Sequence, residues 1–471
     1  MDNNPRIAII GAGSGGIFVA LSLQQGGMND FVSLRRSFLL QGYGIKIDIQ
    51  AVDARRKSST AGDHPAISST WNPSTSKYNL VLSKGGEQVQ EKCTHLISAI
   101  GAFSTPSKID IPGIDLFNGK IIQPIYWPEE LGLDELEGKK VVVIGNGCTG
   151  TQLITALSKR PSIQIVAVSR SVRWLVPSPT KEGPHTTQWT TTQRFLYSVP
   201  PFRCLARLGV YLFMEMYWIL FTKEDKRLPI ARKIQKKFAT FMYDSAPEGL
   251  KDKIVPDFRK SPSSVEVGQK LKLDVALGSN RITFDGGYLN ALKQPNVTPI
   301  FGILQRIESE GIGKRYDADY IVLATCYNTA ASLNIQGREE YNMTGKRDNL
   351  EYYHGMAIPG FPNFFSLQGN NSTAGHFSSL FQLEVQAEYI ASLLSKSSKL
   401  GNVVIEVKED STKRYNEWID SRIDDTVWAD KQSWYHANGG QGRVFTHWPG
   451  PATLYWWINR KINWDDWVIT N

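Results

Sequence analysis

Two stretches of this sequence follow one plan. RIAIIGAGSGGIFVALSLQQGG begins at Arg6, and KKVVVIGNGCTGTQLITALSK begins at Lys139. Each carries an apolar block short enough for a buried parallel strand, then a glycine loop, then apolar residues at helical spacing. A strand that enters a helix through so tight a turn starts a βαβ unit, whose parallel sheet is covered on both faces. Two such units in 471 residues predict an α/β protein with two Rossmann-like dinucleotide-binding domains.

The first loop is Gly11-x-Gly13-x-x-Gly16, with Ser14 at the start of the expected helix. The first glycine permits the turn, the second lets backbone approach a pyrophosphate, and the third lets helix and strand pack closely. Gly145, Gly147 and Gly150, with Thr149 beside the last, repeat the logic. The strand after this second helix, IQIVAVSRS, ends on Arg170 and Ser171 and not on an acid. An acid would accept from a ribose 2′-hydroxyl, whereas an arginine suits a 2′-phosphate, so the second site is expected to prefer NADPH. The first unit also lacks the acid: NDFVSLRRS presents Arg35 and Arg36 there. Paired dinucleotide sites imply a flavin and a nicotinamide.

The discontinuous first domain is expected to take residues 1–130 and 325–471. The second takes 131–324, with a helical insertion around 190–265. RYDADYIVLAT (315–325) reads as one strand. The net charge of +8 is modest for this length, and the Lys/Arg clusters at 222–236 and 251–260 read as solvated helical faces. No nucleic-acid motif is present. Cys93, Cys148, Cys204 and Cys326 lie far apart with no C-x-x-C, so neither a metal site nor a disulfide framework is expected. MDNNPRIAII leads straight into a strand, which fits an intracellular, cytoplasmic protein. LGVYLFMEMYWILF (208–221) is short and carries Glu215, so a buried or interfacial helix is expected in place of a membrane span, and membrane contact is not expected.

Between the two loops, FNGKIIQPIYWP (117–128) resembles the F-x-G-x-x-x-H-x-x-x-W-P motif of Baeyer–Villiger monooxygenases, through Phe117, Gly119, Trp127 and Pro128. GSNRITFDGGYLNAL, ATCYN, GNNSTAGHFSSLFQLEVQAEYI and the Trp-rich C-terminal end resemble further segments of that family's fungal-type members. The resemblance implies FAD and NADPH as cofactors, and oxygenation of a hydrophobic small molecule in secondary metabolism. It implies that Arg281 is the catalytic arginine that holds developing negative charge. It gives His376 a capping or packing role ahead of a helix.

The departures from the family pattern are specific. Gln123 replaces the motif histidine, Cys326 replaces the glycine of A-T-G, and Asn280 replaces the lysine before the arginine. The family's G-G-T-W and Y-P-G-x-x-x-D segments, which wrap the flavin, are absent from the sequence. The alternatives to a monooxygenase are a flavin-independent descendant that catalyses a non-redox step, such as an isomerase or cyclase, and a catalytically silent scaffold.

Overall fold

The computed structural model describes residues 6–34, 66–178, 190–255, 277–328 and 334–470, apart from a few positions inside these ranges, among them Ala12, Asn280, Arg281 and Cys326. The described residues divide into two units: Met1–Thr105 with Thr329–Asn471, and Pro106–Asn328.

The chain opens unit 1 with β1 (Ile7–Ile10), four buried apolar residues, and passes through the first glycine loop into α1 (Ser14–Gln25) and β2 (Phe31–Leu34). An antiparallel meander follows, β3 (Ala66–Asn72), β4 (Lys77–Lys84) and β5 (Glu87–Cys93), and then β6 (His95–Ser98). Unit 2 comprises β7 (Lys120–Ile122), β8 (Lys140–Ile144), α2 (Cys148–Leu157), β9 (Gln164–Ser169) and β10 (Leu175–Pro177). Next come α3 (Thr191–Ser198), α4 (Pro200–Met216), α5 (Pro229–Ser245) and α6 (Lys251–Ile254). The unit continues through β11 (Thr283–Asp285), α7 (Tyr288–Ala291) and β12 (Val297–Phe301). It finishes with β13 (Ile307–Glu308), β14 (Gly311–Ile312), β15 (Tyr316–Asp317) and β16 (Tyr320–Leu323). The chain then returns to unit 1 with β17 (Ile335–Gln336), β18 (Phe364–Ser366) and α8 (Ser379–Ser397).

Both units are built on a parallel sheet with the glycine loop at its centre. In unit 1 the order is β18-β6-β1-β2, and in unit 2 it is β12-β9-β8-β16-β7. β1 lies between β2 and β6, and β8 lies between β9 and β16, all in parallel. The chain leaves each central strand toward one side and fills the other side later. The loop after that strand therefore sits at the topological switch point, where such sheets bind ligands.

The chain crosses into unit 2 at Thr105/Pro106 and not at 130/131, because β7, within the 117–128 motif, pairs with β16. It returns at Asn328/Thr329. The stretch expected as one strand at 315–325 is two: β15 pairs with β14 in a small meander, and β16 enters the main sheet.

Candidate functional site

Each glycine loop has the same backbone. Gly11 and Gly145 take φ of 119° and 113°, a region open to glycine and strained for other residues. A Cβ on Gly11 would stand 2.4 Å from the carbonyl oxygen of Ala99, and one on Gly145 would stand 2.3 Å from that of Ala324. A Cβ on Gly16 would lie 2.0 Å from the Gly11 oxygen, and one on Gly150 would lie 1.9 Å from the Gly145 oxygen. The first and third glycines are thus set by the protein's own packing. The second glycine differs: a Cβ on Gly13 or on Gly147 would meet nothing within 4 Å. These positions line open space, where a ligand could approach the backbone.

Gly13 and Gly147 are also the N-caps of α1 and α2, both extended, and neither helix has a side-chain cap. The first helical bonds are Ile17 N to the Gly13 oxygen at 3.1 Å and Thr151 N to the Gly147 oxygen at 2.9 Å. The N–H groups of Ser14, Gly15 and Gly16, and those of Cys148, Thr149 and Gly150, precede the ladder and carry the positive end of the helix dipole. Open space, uncapped N–H groups and close backbone approach suit the pyrophosphate of a dinucleotide.

In unit 2, Arg170 is exposed just beyond β9, and Ser171 is half-buried beside it. Asn146, between the first two glycines, donates from Nδ2 to the Ser171 carbonyl at 2.8 Å. Arg173 is half-buried, and its Nε is buried with no hydrogen-bond partner among the described residues. It lines a small pocket with Asn146, Thr151, Tyr288 and Phe301. Burial pushes the Tyr288 phenol up to about 12, although it hydrogen-bonds Ser169. Sequence reading missed Asn146 and Arg173. The polar residue inside the glycine motif was the available signal for Asn146, and a second arginine three residues after Arg170 was the signal for Arg173.

In unit 1, α8 packs on α1, and Leu383 of α8 would stand 3.2 Å from a Cβ on Gly15. Its neighbour Gln382 is fully buried, and neither amide atom has a hydrogen-bond partner among the described residues. The segment before α8 is pinned by buried amides. Asn370 Nδ2 donates to the carbonyls of Arg347 and Leu350, Asn371 Nδ2 donates to those of Val444 and His447, and Gln386 Oε1 accepts from Gln368 N. Ser378 is the N-cap of α8, with its side chain accepting from Leu380 N, so the expected capping role does not fall to His376. His376 is buried with its ring edge-on to Phe377.

A family model described as pyridine nucleotide-disulphide oxidoreductase matches residues 5–182. The chain is 25% identical to a Baeyer-Villiger monooxygenase of Pseudomonas aeruginosa, over 97% of this chain and 90% of that protein. It is 27% identical to the FAD-binding monooxygenase ktnD of Aspergillus niger, over 85% and 63% of the two chains. It is also 27% identical to the uncharacterized monooxygenase y4iD of Sinorhizobium fredii, over 79% and 55%. The chain thus spans less than two thirds of the length of these last two relatives. A solved structure of the OTEMO complex with FAD and NADP superimposes with a TM-score of 0.77 over 99% of this chain and 100% of that one, at 17% identity. The chain is similar to Baeyer–Villiger and FAD-binding monooxygenases in sequence and shares their fold.

The Baeyer–Villiger motif at 117–128 lies around β7. Phe117 is buried in the core of unit 2, and a Cβ on Gly119 would stand 2.5 Å from the Asp319 carbonyl oxygen. These two positions are thereby explained by packing. Trp127 Nε1 donates to the Leu131 carbonyl at 2.6 Å, beside Pro128, which fixes the turn that follows. Gln123, at the family's histidine position, is half-buried, and its side chain makes no hydrogen bond among the described residues. Arg281, expected from the resemblance to be the catalytic arginine, lies outside the described residues, as do Arg35 and Cys326. Near Arg281 in sequence, Asp285 Oδ1 accepts from Gly287 N, Tyr288 N and Leu289 N and so caps α7.

Proposed function

We propose that the chain is an FAD- and NADPH-dependent monooxygenase of Baeyer–Villiger type, with FAD on unit 1 and NADPH on unit 2. The observation that carries this reading is the duplicated cradle, in which both second glycines face open space at an uncapped helix N-terminus. The FAD pyrophosphate would rest on the N–H groups of Ser14, Gly15 and Gly16, with Gly11 and Gly13 shaping the turn. NADPH would rest in the same way on Thr149 and Gly150 beyond Gly145 and Gly147. Arg170 and Ser171 would take its 2′-phosphate, because a guanidinium supplies a fixed fork of donors to a dianion. Bound flavin would supply hydride acceptance from the nicotinamide and activation of dioxygen.

Arg281 would hold negative charge as it develops on the substrate oxygen, where a fixed cation in a dry site acts more strongly than in water. The balanced reaction converts a ketone, dioxygen, NADPH and a proton into an ester, water and NADP+. The substrate is proposed to be a hydrophobic small molecule. A role in secondary metabolism is supported by the fungal relatives.

A second reading, a non-redox descendant on the same scaffold, is favoured by Gln123, which replaces the motif histidine, and by Arg35, which replaces the ribose-binding acid. One experiment separates the two readings. The purified chain is titrated with FAD and followed by its visible absorption, and NADPH consumption and oxygen uptake are then measured with cyclic and open-chain ketones. Flavin binding with ketone-stimulated NADPH oxidation and an ester product supports the first reading. A chain that takes up no FAD removes it.

A further inference from the structure

Helix α4 is amphipathic and faces the wrong way for a helix of a protein core. At about 100° per residue, Phe202, Leu205, Leu208, Leu212, Phe213 and Met216 fall within an arc of roughly 140°. A surface helix normally turns such a stripe inward. Here these side chains are 51–64% exposed, while Tyr211, Met214 and Glu215 on the other side are half-buried. Pro200–Phe221 is the one described stretch long and apolar enough to cross a membrane, and only 11% of its 18-residue apolar window is buried. The preceding α3 adds exposed Phe195 and Leu196.

The same stretch concentrates positive charge. Residues 190–237 hold ten Lys/Arg against three Asp/Glu, and so account for seven of the chain's eight net positive charges. Arg203 and Arg207 sit one turn apart on the side of α4 opposite the apolar arc, both exposed, and neither pairs with a carboxylate among the described residues. Arg194 on α3, with Lys233, Lys236 and Lys237 on α5, is exposed as well.

We propose that α3 and α4 form a docking face for an anionic phospholipid surface, with the apolar arc of α4 sunk into the headgroup–acyl boundary and the arginines of its polar face held among the anionic headgroups. An exposed apolar face with arginine on the opposite, polar face is the pattern of interfacial helices. The helix lies along the surface and does not cross it. A crossing by Pro200–Phe221 would carry Arg203, Arg207 and Glu215 into the hydrocarbon core, where each is costly. A second copy of the chain is a poorer occupant, because a self-interface would bring seven net positive charges against seven.

The test is co-sedimentation of the full chain with vesicles of phosphatidylcholine alone and of phosphatidylcholine mixed with phosphatidylserine. Binding to the mixed vesicles is expected, weaker by about tenfold or more without phosphatidylserine and weakened by salt. Replacing Arg203 and Arg207 together with alanine should lower partitioning about fivefold per arginine. The double variant Leu205→Glu, Phe213→Glu should abolish binding with an unchanged thermal midpoint, since both positions are exposed. No binding to either vesicle, equal binding to both, or undiminished binding of the Leu205→Glu, Phe213→Glu variant overturns the proposal. So does a dimer by light scattering that this variant breaks while neither form binds vesicles, because the face is then a contact between copies.

Discussion

Asn146 holds the carbonyl of Ser171 at 2.8 Å from its amide nitrogen. This bond ties the second glycine loop to the turn that presents Arg170, so two parts of the proposed nucleotide site are positioned together. Asn146→Ala should therefore weaken NADPH by about 1 kcal/mol, the usual net worth of such a bond, without abolishing its preference over NADH. Arg170→Ala should cost roughly 1–3 kcal/mol and remove the preference. Titration of both nucleotides against both variants checks this. Equal affinity for NADPH and NADH in the parent chain would sink the assignment of Arg170.

The glycines of one loop should separate into structural and ligand-facing classes. Gly16→Ala places a methyl 2.0 Å from a backbone oxygen and must push α1 off β1, at a cost of roughly 1–3 kcal/mol. Gly13→Ala meets nothing in the protein and adopts an ordinary extended backbone. Its thermal midpoint should match the parent, while its FAD affinity falls. Gly150→Ala and Gly147→Ala should repeat the pattern for NADPH. Thermal unfolding combined with cofactor titration tests all four. Unchanged FAD affinity in Gly13→Ala would remove the first loop from the flavin site.

Gln382 should distinguish a polar ligand contact from a simple packing defect. Its amide is buried with both atoms unpartnered among the described residues, a condition that costs roughly 1–3 kcal/mol in a ligand-free protein. Gln382→Met should raise the unfolding temperature of the FAD-free chain and reduce the further rise that FAD produces. If FAD stabilises parent and variant equally, the amide does not touch the flavin.

Acid should weaken unit 1. Burial lowers the imidazoles of His95 and His354 to about 4, against an ordinary value of 6.5. In the folded chain they stay neutral, whereas the unfolded chain takes up protons below about 6.5. The stability is thus fully present above 6.5 and is lost as pH falls through the window from 6.5 to 4. The loss is on the order of 3 kcal/mol for each histidine. His354→Gln should flatten this part of the pH dependence of thermal unfolding. An unchanged slope in the variant would mean that His354 does not carry it.

The two cradles were legible in the sequence because a strand, a glycine turn and a helix are specified by residues within about twenty positions of one another. Arg170 could be placed for the same reason, at the end of the next strand. The 117–128 motif was legible as a pattern, but not its place in the fold: only the pairing of β7 with β16 puts it in unit 2. The tertiary structure alone decided what each loop glycine avoids. Ala99 stands behind Gly11, and Ala324 behind Gly145, because parallel strands bring distant residues side by side. It also decided which way α4 faces. The apolar arc of that helix is written in its residues, but a stripe turns inward only where another element offers a surface to cover it. In unit 2 the cover goes to the other side of the helix, so the stripe is left facing solvent.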